Sequence, residues 1–499
     1  MRELHPDHDR VVAALTVPEL ARIIDLVVWA GHDGDGEPAA FAANHLGSVR
    51  LDADGTHHVL TGIDPMPSED PMAFLPYDLE CAEPGPRLSI TNAYPYAAPR
   101  LLSFFSHPDR SPDLAIVHTP RHYFPDEGGH VGEHGSLDVI QSRAPLILAG
   151  PRVGRQGYAA AHARLVDVGP TMAVLAGVPE DDLVDRHGDP VDGRVLHEHL
   201  LPGEPRPVVG ILWDGAHCGD LLHLAESGEL PDVARLIERG VALRGGAVAQ
   251  FPSVTLTNHT SILTGVGPGR HGVLGNVYFD RASGERVVPN DAATWHRSSE
   301  WLNDHVRTVF EMLADHVAPQ GFPRSASIDE AIDRGADYST MQLIRASGDT
   351  RGADGLTDQL PDPHTSPFNV DPAHLEDPYF SWGVQVDDLG LQQIRQLWAD
   401  PATAPRLTWW ANVVTDAGHH GGGPRSAMAR ASLRQSDARL VAFLDHLEAI
   451  GALEEVTFVL TADHGFEGAD PSVTGSWAPA LDALGISYRD EGPGLIYLA

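Results

Sequence analysis

Three short apolar runs each stop on a side chain of the kind that binds metal ions: residues 208–213 before Asp214, residues 407–415 before Asp416, and residues 456–462 before the pair Asp463-His464. Buried parallel strands read as near-continuous hydrophobic runs, and open α/β sheets bind their ligands beyond the carboxyl ends of those strands. Carboxylates at such ends predict a metal site there and, with it, a metal-dependent hydrolase. A fourth segment, residues 251–265, reads as a loop entering the first turn of a helix. Free N–H groups and the helix dipole attract phosphate at such a point. A hydroxyl held there beside a cation is a usable nucleophile, because coordination lowers the cost of its alkoxide form. The segment offers Thr255 and Thr257 for that role.

The elements that must hold these residues are legible in outline. After the run ending at Trp213 comes a helical pattern over residues 231–240, with Pro231 near its start and Gly240 just past its end, the usual punctuation of a helix. Strand and helix alternate, which predicts an α/β fold with a doubly wound, mostly parallel sheet and helices on both faces. An amphipathic helix is expected from about Ser426 to Ala449, another helix from near Pro170, and further strands at 24–29 and 145–149. Residues 278–398 are irregular and rich in Asp, Pro and Gly, with a helical pattern only in patches such as 306–314, and read as an insertion or cap. Residues 201–207, with three prolines and a glycine, read as a linker.

Composition narrows the partners. A formal charge of -36 repels phosphate backbones everywhere outside a local positive site, so a nucleic-acid polymer is not an expected partner. The only cysteines are Cys81 and Cys218, too few for a disulfide scaffold and in keeping with a reducing compartment. No stretch approaches the ~20 apolar residues of a membrane helix. The first residues, Met1-Arg2-Glu3-Leu4-His5-Pro6-Asp7, lack the basic start and apolar core of a signal peptide. A cytoplasmic protein without membrane partners is expected.

Taken together, Asp214-Gly215, residues 251–265, Pro268, His271-Gly272 to Asn276, Asp416 to Pro424 and Asp463-His464-Gly465 resemble the nucleotide pyrophosphatase/phosphodiesterase branch of the alkaline phosphatase superfamily. The resemblance covers most of 207–280 and 407–468. It implies two metal ions, one held by Asp214, Thr255, Asp463 and His464, the other by Asp416, His420 and a third histidine. His419 stands where the family has glycine, so His419 and His420 compete for the ligand position; spacing to Asp416 and to Gly423-Pro424 favours His420. In relatives the third histidine follows the Asp-His-Gly motif, yet no histidine follows His464 here. Gly132-Glu133-His134-Gly135-Ser136 resembles the missing motif, and residues 145–151, 167–172 and 175–178 resemble the closing stretch of the superfamily fold. The implied order is a circular permutation. Residues 1–200 correspond to the usual last part and carry His134, residues 201–207 join the ancestral ends, residues 208–277 and 399–499 carry the nucleophile and metal motifs, and residues 278–398 form the insertion or cap. Such rearrangement is physically reasonable where chain ends lie close together at the surface, and it places residues 495–498 near residues 10–29.

By the same resemblance Thr255 attacks phosphorus in line between metal ions about 3.5–4 Å apart, and water then cleaves the phosphothreonine. Asn258, three residues on, would donate to a phosphoryl oxygen in the transition state. A donor set of imidazoles and carboxylates without thiolate suits zinc, with manganese or another divalent ion also open. The implied substrate is a small-molecule phosphodiester or pyrophosphate. Leu256 stands where nucleotide-cleaving relatives carry an aromatic residue, so stacking on a base would fall to a residue such as Tyr278, Phe322 or Trp382. A phosphonate hydrolase, which needs a cationic pocket for a second acid group, and a phosphomonoesterase are the enzymatic alternatives; a non-catalytic metal-binding protein is the alternative of another class. A sulfatase is disfavoured, since no Cys-x-Pro-x-Arg motif is present. Singly, each residue has a plainer reading. Asp after a strand commonly caps a helix, a His-Gly pair among 28 histidines is commonly solvated, Thr257 could be a cap, and His259, His271 and Cys218 read as structural. The combination of motifs is what outweighs these readings.

Overall fold

The run Val208–Trp213 forms a strand that is buried at every position. It lies parallel to Leu407–Asn412 on one side and to Thr457–Thr461 on the other. In the computed structural model, which describes residues 3–82, 93–126, 128–347, 360–492 and 494–499, these three strands sit in an eight-stranded sheet. Its order is Tyr338–Ser339, Ser325–Ile328, Leu407–Asn412, Val208–Trp213, Thr457–Thr461, Leu146–Ala149, Gly240–Leu243 and Gly157–Ala159. From the first of these to Thr457–Thr461 every pairing is parallel, whereas Leu146–Ala149 runs antiparallel to both its neighbours. The fold is therefore α/β on a mainly parallel sheet. Gly210, in a central strand, leaves room for the ring of Trp409 and for Met172; a Cβ there would collide with both.

The helices follow from their local signals. Thr255–Thr264 begins immediately after the loop and ends at Gly265 in the left-handed conformation. Pro231–Glu238 has proline in its first turn, and Ala427–Ala449 is capped by the Ser426 hydroxyl accepting from the Ala429 N–H. Val168–Ala176 packs on the strands Val208–Trp213, Leu407–Asn412 and Thr457–Thr461. Among the described residues no helix is long and apolar enough to cross a membrane.

Two expectations need correction, and one expected strand proves to lie outside the main sheet. The apolar run ahead of Asp416 is not one strand. The strand stops at Asn412, and Val414–Gly422 is a helix that carries Asp416 in its first turn. Val414 and Ala417 are apolar because that helix packs on Phe380 and Val384, so the change of element leaves no polar break in the sequence. Residues 278–398 do not lie wholly outside the sheet, because Ser325–Ile328 pairs with Leu407–Asn412; its small, partly polar residues give no apolar run. The same stretch supplies the 20-residue helix Pro378–Leu397, capped by Asp377, while its residues 348–359 fall outside the described ones. Finally, Ile24–His32 belongs to a second, seven-stranded antiparallel sheet. There Leu495–Leu498 pairs with Leu114–His118, which pairs with Ile24–His32, and Ile496 and Leu498 share one apolar cluster with Val11, Leu15, Ile24 and Trp29. The two ends of the chain do meet.

Residues 201–206 are exposed, while Leu146–Ala149, from before them, is hydrogen-bonded between strands from after them. Cleavage at a protease site engineered into residues 202–206 should therefore leave the two fragments co-eluting on size exclusion. Fragments that separate without denaturant would refute this account of how the sheet is held.

Candidate metal centre

Asp214 follows the strand Val208–Trp213 directly, and its N–H donates to the Asn412 carbonyl of the neighbouring strand. Asp463 and His464 stand just beyond Thr457–Thr461, and Asp463 Oδ1 accepts from the Gly215 N–H at 2.9 Å. Asp416 and His420 lie one turn apart on a helix, so they share a face; His420 Nε2 is 3.6 Å from Asp416 Oδ2. His134 enters from the N-terminal part, next to the short strand Gly132–Glu133 that pairs with Glu467–Gly468. Its Nε2 is 3.2 Å from His420 Nε2, and its ring stacks on His464 with centroids 3.7 Å apart.

The rings are oriented alike. Nδ1 of His134, His420 and His464 faces the backbone carbonyls of Ser253, Gly132 and Gly465, each at 3.0 Å. A carbonyl only accepts, so each Nδ1 carries the hydrogen and each Nε2 presents a lone pair to the centre. Two such lone pairs face one another at 3.2 Å. Nitrogen ligands about 2.0–2.1 Å from one tetrahedral ion would be spaced similarly. Asp214 Oδ1, Asp416 Oδ1, Asp463 Oδ2 and His464 Nε2 are buried without a hydrogen-bond partner, although buried polar atoms are normally paired. Within two groups, His134, Asp416 and His464, and Asp214, Asp463 and His464, the possible ligand atoms lie within 4.8 Å of one another. These residues fit divalent cations, and His464 adjoins both positions.

Electrostatics point the same way. Burial, and then Asp463 and Asp416, push the Asp214 carboxyl well above its ordinary range. Burial, and then His464 and His420, hold His134 well below the usual imidazole value, and burial takes His420 down to about 4. Metal binding needs charged carboxylates and neutral imidazoles. His134 and His420 are thus already in the required form at neutral pH, and a cation would relieve the repulsion among the carboxylates.

Thr255 occupies the first helical position and lines a cleft of ≈ 420 Å³ together with Asp214, Asp416, His134 and His420. Thr257 is fully buried and does not line it. His420 turns toward Asp416, whereas His419 turns away, its Nε2 3.7 Å from Asp220 Oδ2 and its ring against Phe466. Asn258 does not serve the cleft. Its Oδ1 accepts from the Gln250 N–H at 2.6 Å and its NH2 donates to the carbonyls of Pro252 and Val254, so this side chain is consumed in shaping the loop before Thr255. Asn276 and Asn290 are the amides that line the cleft; Asn276 Oδ1 accepts from the Leu256 N–H at 3.1 Å, which leaves its NH2 as a donor able to serve a ligand beside Thr255. The signal for Asn276 was present, as the last residue of the Pro268 to Asn276 motif.

Tyr379, by contrast, carried no signal, because it lies in the stretch that reads as an insertion. Its hydroxyl donates to Asp416 Oδ2 at 2.7 Å, and its ring stacks on Trp382. Trp382 and Trp295 also line the cleft. Tyr278 is fully buried, and Phe322 borders a different pocket, with Pro205 and Trp398. Because His134 faces only one of the two groups' carboxylates, His134→Ala should lower bound metal, measured by plasma mass spectrometry, by roughly half. Unchanged metal content would remove this histidine from the centre.

A family model described as type I phosphodiesterase / nucleotide pyrophosphatase matches residues 208–498. An uncharacterized pyrophosphatase/phosphodiesterase of Schizosaccharomyces pombe is 34% identical over 95 residues, which cover 17% of this chain and 19% of that relative. Among solved structures, phosphonoacetate hydrolase from Sinorhizobium meliloti, in complex with phosphonoformate, is 23% identical, with a TM-score of 0.34 over 55% of this chain and 59% of the other. An inactive form of murine ectonucleotide pyrophosphatase / phosphodiesterase 5, in complex with AMP, is 16% identical, with a TM-score of 0.38 over 54% and 59%. The chain thus spans less than two thirds of the length of each of these relatives. Since the family model matches more than half of the chain, the protein belongs to the type I phosphodiesterase / nucleotide pyrophosphatase family.

Proposed function

We propose that the chain is a metal-dependent phosphohydrolase that cleaves a phosphodiester or pyrophosphate bond in a small-molecule substrate, with Thr255 as nucleophile and two zinc ions as cofactors. The observation that carries this reading is the convergence, in one cleft, of the Thr255 helix N-terminus with Asp214, Asp416, His134 and His420. Asp214, Asp463 and His464 would hold one ion beside Thr255, and Asp416, His420 and His134 the other. When bound, the ions supply Lewis-acid stabilisation of the phosphoryl oxygens and ease loss of the Thr255 proton. The chain's own residues do the rest. Thr255 Oγ1 attacks phosphorus as the bond to the leaving oxygen breaks, and water then attacks the phosphothreonine and regenerates the hydroxyl. The Asn276 NH2 donates to a phosphoryl oxygen as charge develops, taking the part expected of Asn258. Tyr379 fixes the orientation of the Asp416 carboxylate.

Trp295, Tyr379 and Trp382 line the cleft, and among the described residues no arginine does. This supports a substrate with an aromatic or apolar group over a phosphonate with a second acid group. Arg286, in the adjoining pocket, is paired with Glu491 at 2.7 Å.

The proposal includes the circular permutation. It is supported by the start of the family match at Val208, next to the exposed residues 201–206, and by the approach of His134 to His420 from the other part of the chain. Residues 1–200 then act as the displaced last part, and residues 208–277 and 399–499 as the main core. Ser325–Ile328 and Tyr338–Ser339 join that core, while the other described residues of 278–398 remain the cap. Cys81 and Cys218 form no disulfide, in keeping with a cytoplasmic location.

The test is hydrolysis of chromogenic phosphodiester, phosphomonoester and phosphonate substrates after metal stripping and return of zinc or manganese. Thr255→Ala should lose at least ~10³-fold in kcat while keeping the fold, and Asn276→Ala on the order of 10²-fold. Asn258→Ala should instead lower Tm. A wild-type protein that binds zinc but hydrolyses none of the substrates would return the non-catalytic reading, and a strong monoester preference would overturn the diesterase.

A further inference from the structure

His259 stands one turn after Thr255 on the same helix and therefore on the same face. It is fully buried. Its Nε2 lies 3.6 Å from Asp214 Oδ2 and 3.6 Å from Asp463 Oδ2, between two carboxylates that come off different strands. On the other side its Nδ1 is 2.9 Å from Glu330 Oε2. Glu330 is itself fully buried and is held twice more, accepting from the Trp409 indole N–H at 2.8 Å and from the Ile332 N–H at 2.9 Å. The Trp409 ring is in turn packed where Gly210 leaves room for it.

A buried carboxylate facing a buried imidazole is costly unless each is fully engaged. Here Glu330 is engaged by His259, by the Ile332 N–H and by Trp409 from within a neighbouring strand, while His259 Nε2, without a hydrogen bond of its own, faces Asp214 and Asp463 beyond the ends of two further strands. Asp463 Oδ1 is held by the Gly215 N–H at 2.9 Å, whereas Asp214 Oδ1 and Asp463 Oδ2 have no hydrogen-bond partner, and His259 faces both carboxylates from the helix of Thr255.

We propose that His259, backed by Glu330 and Trp409, is a positioning residue that sets the separation of Asp214 and Asp463 and, through the rigid turn between residues 255 and 259, the placement of Thr255 against them. This rests on the metal-centre reading above. Outer partners of metal ligands commonly change affinity by roughly 10–100-fold when removed. His259 would act on the ion between Asp214 and Asp463, and leave the one beside His134, Asp416 and His420 largely alone.

The experiment measures zinc affinities of wild type, His259→Gln and Glu330→Gln by competition with a chromogenic chelator, and the visible spectra of the cobalt-loaded proteins. The expected result is one dissociation constant raised roughly 10-fold or more, the other within about twofold of wild type, and a changed cobalt spectrum, in both variants. At saturating metal, kcat should fall while KM stays near wild type. Glu330→Gln, which preserves the volume and can still accept from Trp409, keeps the test open if His259→Gln does not fold. Two affinities and a cobalt spectrum equal to wild type would overturn the proposal, as would equal weakening of both ions together with a lowered Tm of the metal-free protein, which is what a merely structural role would produce. A wild type that binds no zinc would instead overturn the metal centre itself.

Discussion

Asp214, Asp416 and Asp463 bring three carboxylates together inside the protein, all of them buried. Like charges in such a place repel strongly and are tolerated only with protons or cations among them. Burial together with the neighbouring Asp463 and Asp416 raises the Asp214 carboxyl well above its usual range, and this is the local expression of that constraint. The architecture around the carboxylates supplies neutral imidazoles with their lone pairs turned inward. It also leaves several oxygens without hydrogen bonds, an arrangement suited to divalent ions and to little else.

The backbone makes this convergence possible. Parallel strands deliver Asp214 and Asp463 at the same edge of the sheet, and a helix started just past a third strand delivers Asp416 and His420 a turn apart. Gly215, at φ 59°, takes the chain around the centre where no side chain fits, since a Cβ there would lie 2.7 Å from Asp416 Oδ1. The short pairing of Gly132–Glu133 with Glu467–Gly468 brings His134 to the opposite wall. Trp295, Tyr379 and Trp382 line the cleft, and the last two come from a helix belonging to none of the recognisable motifs.

Legibility in the sequence varied with how local the cause was. The strands at 208–213 and 457–461, the Ser426 cap and the proline and glycine at the ends of helices are written in neighbouring residues, and the structure follows them closely. The helix carrying Asp416 was hidden because strand and helix there are equally apolar. The expectation for Asn258 rests on spacing along a helix, which shows which residues share a face without showing which face looks into the cleft. The Asn258 amide is bound to the loop that presents Thr255, whereas Asn276 lines the cleft.

What the sequence alone determined was the chemical kind of each group, the apolar strands that end beside Asp214 and Asp463, and the four-residue interval between Asp416 and His420, which the structure shows to be one turn of a helix. These follow from the repeat of the helix and the burial of a strand, both short-range regularities. Only the tertiary structure decided that Glu330 stands behind His259 and that Tyr379 reaches Asp416, whereas the approach of His134 to His420 across 286 residues was expected from the resemblance of the 132–136 motif. The order of strands in a sheet is set by packing of the whole chain, and contacts between side chains on distant segments inherit that order.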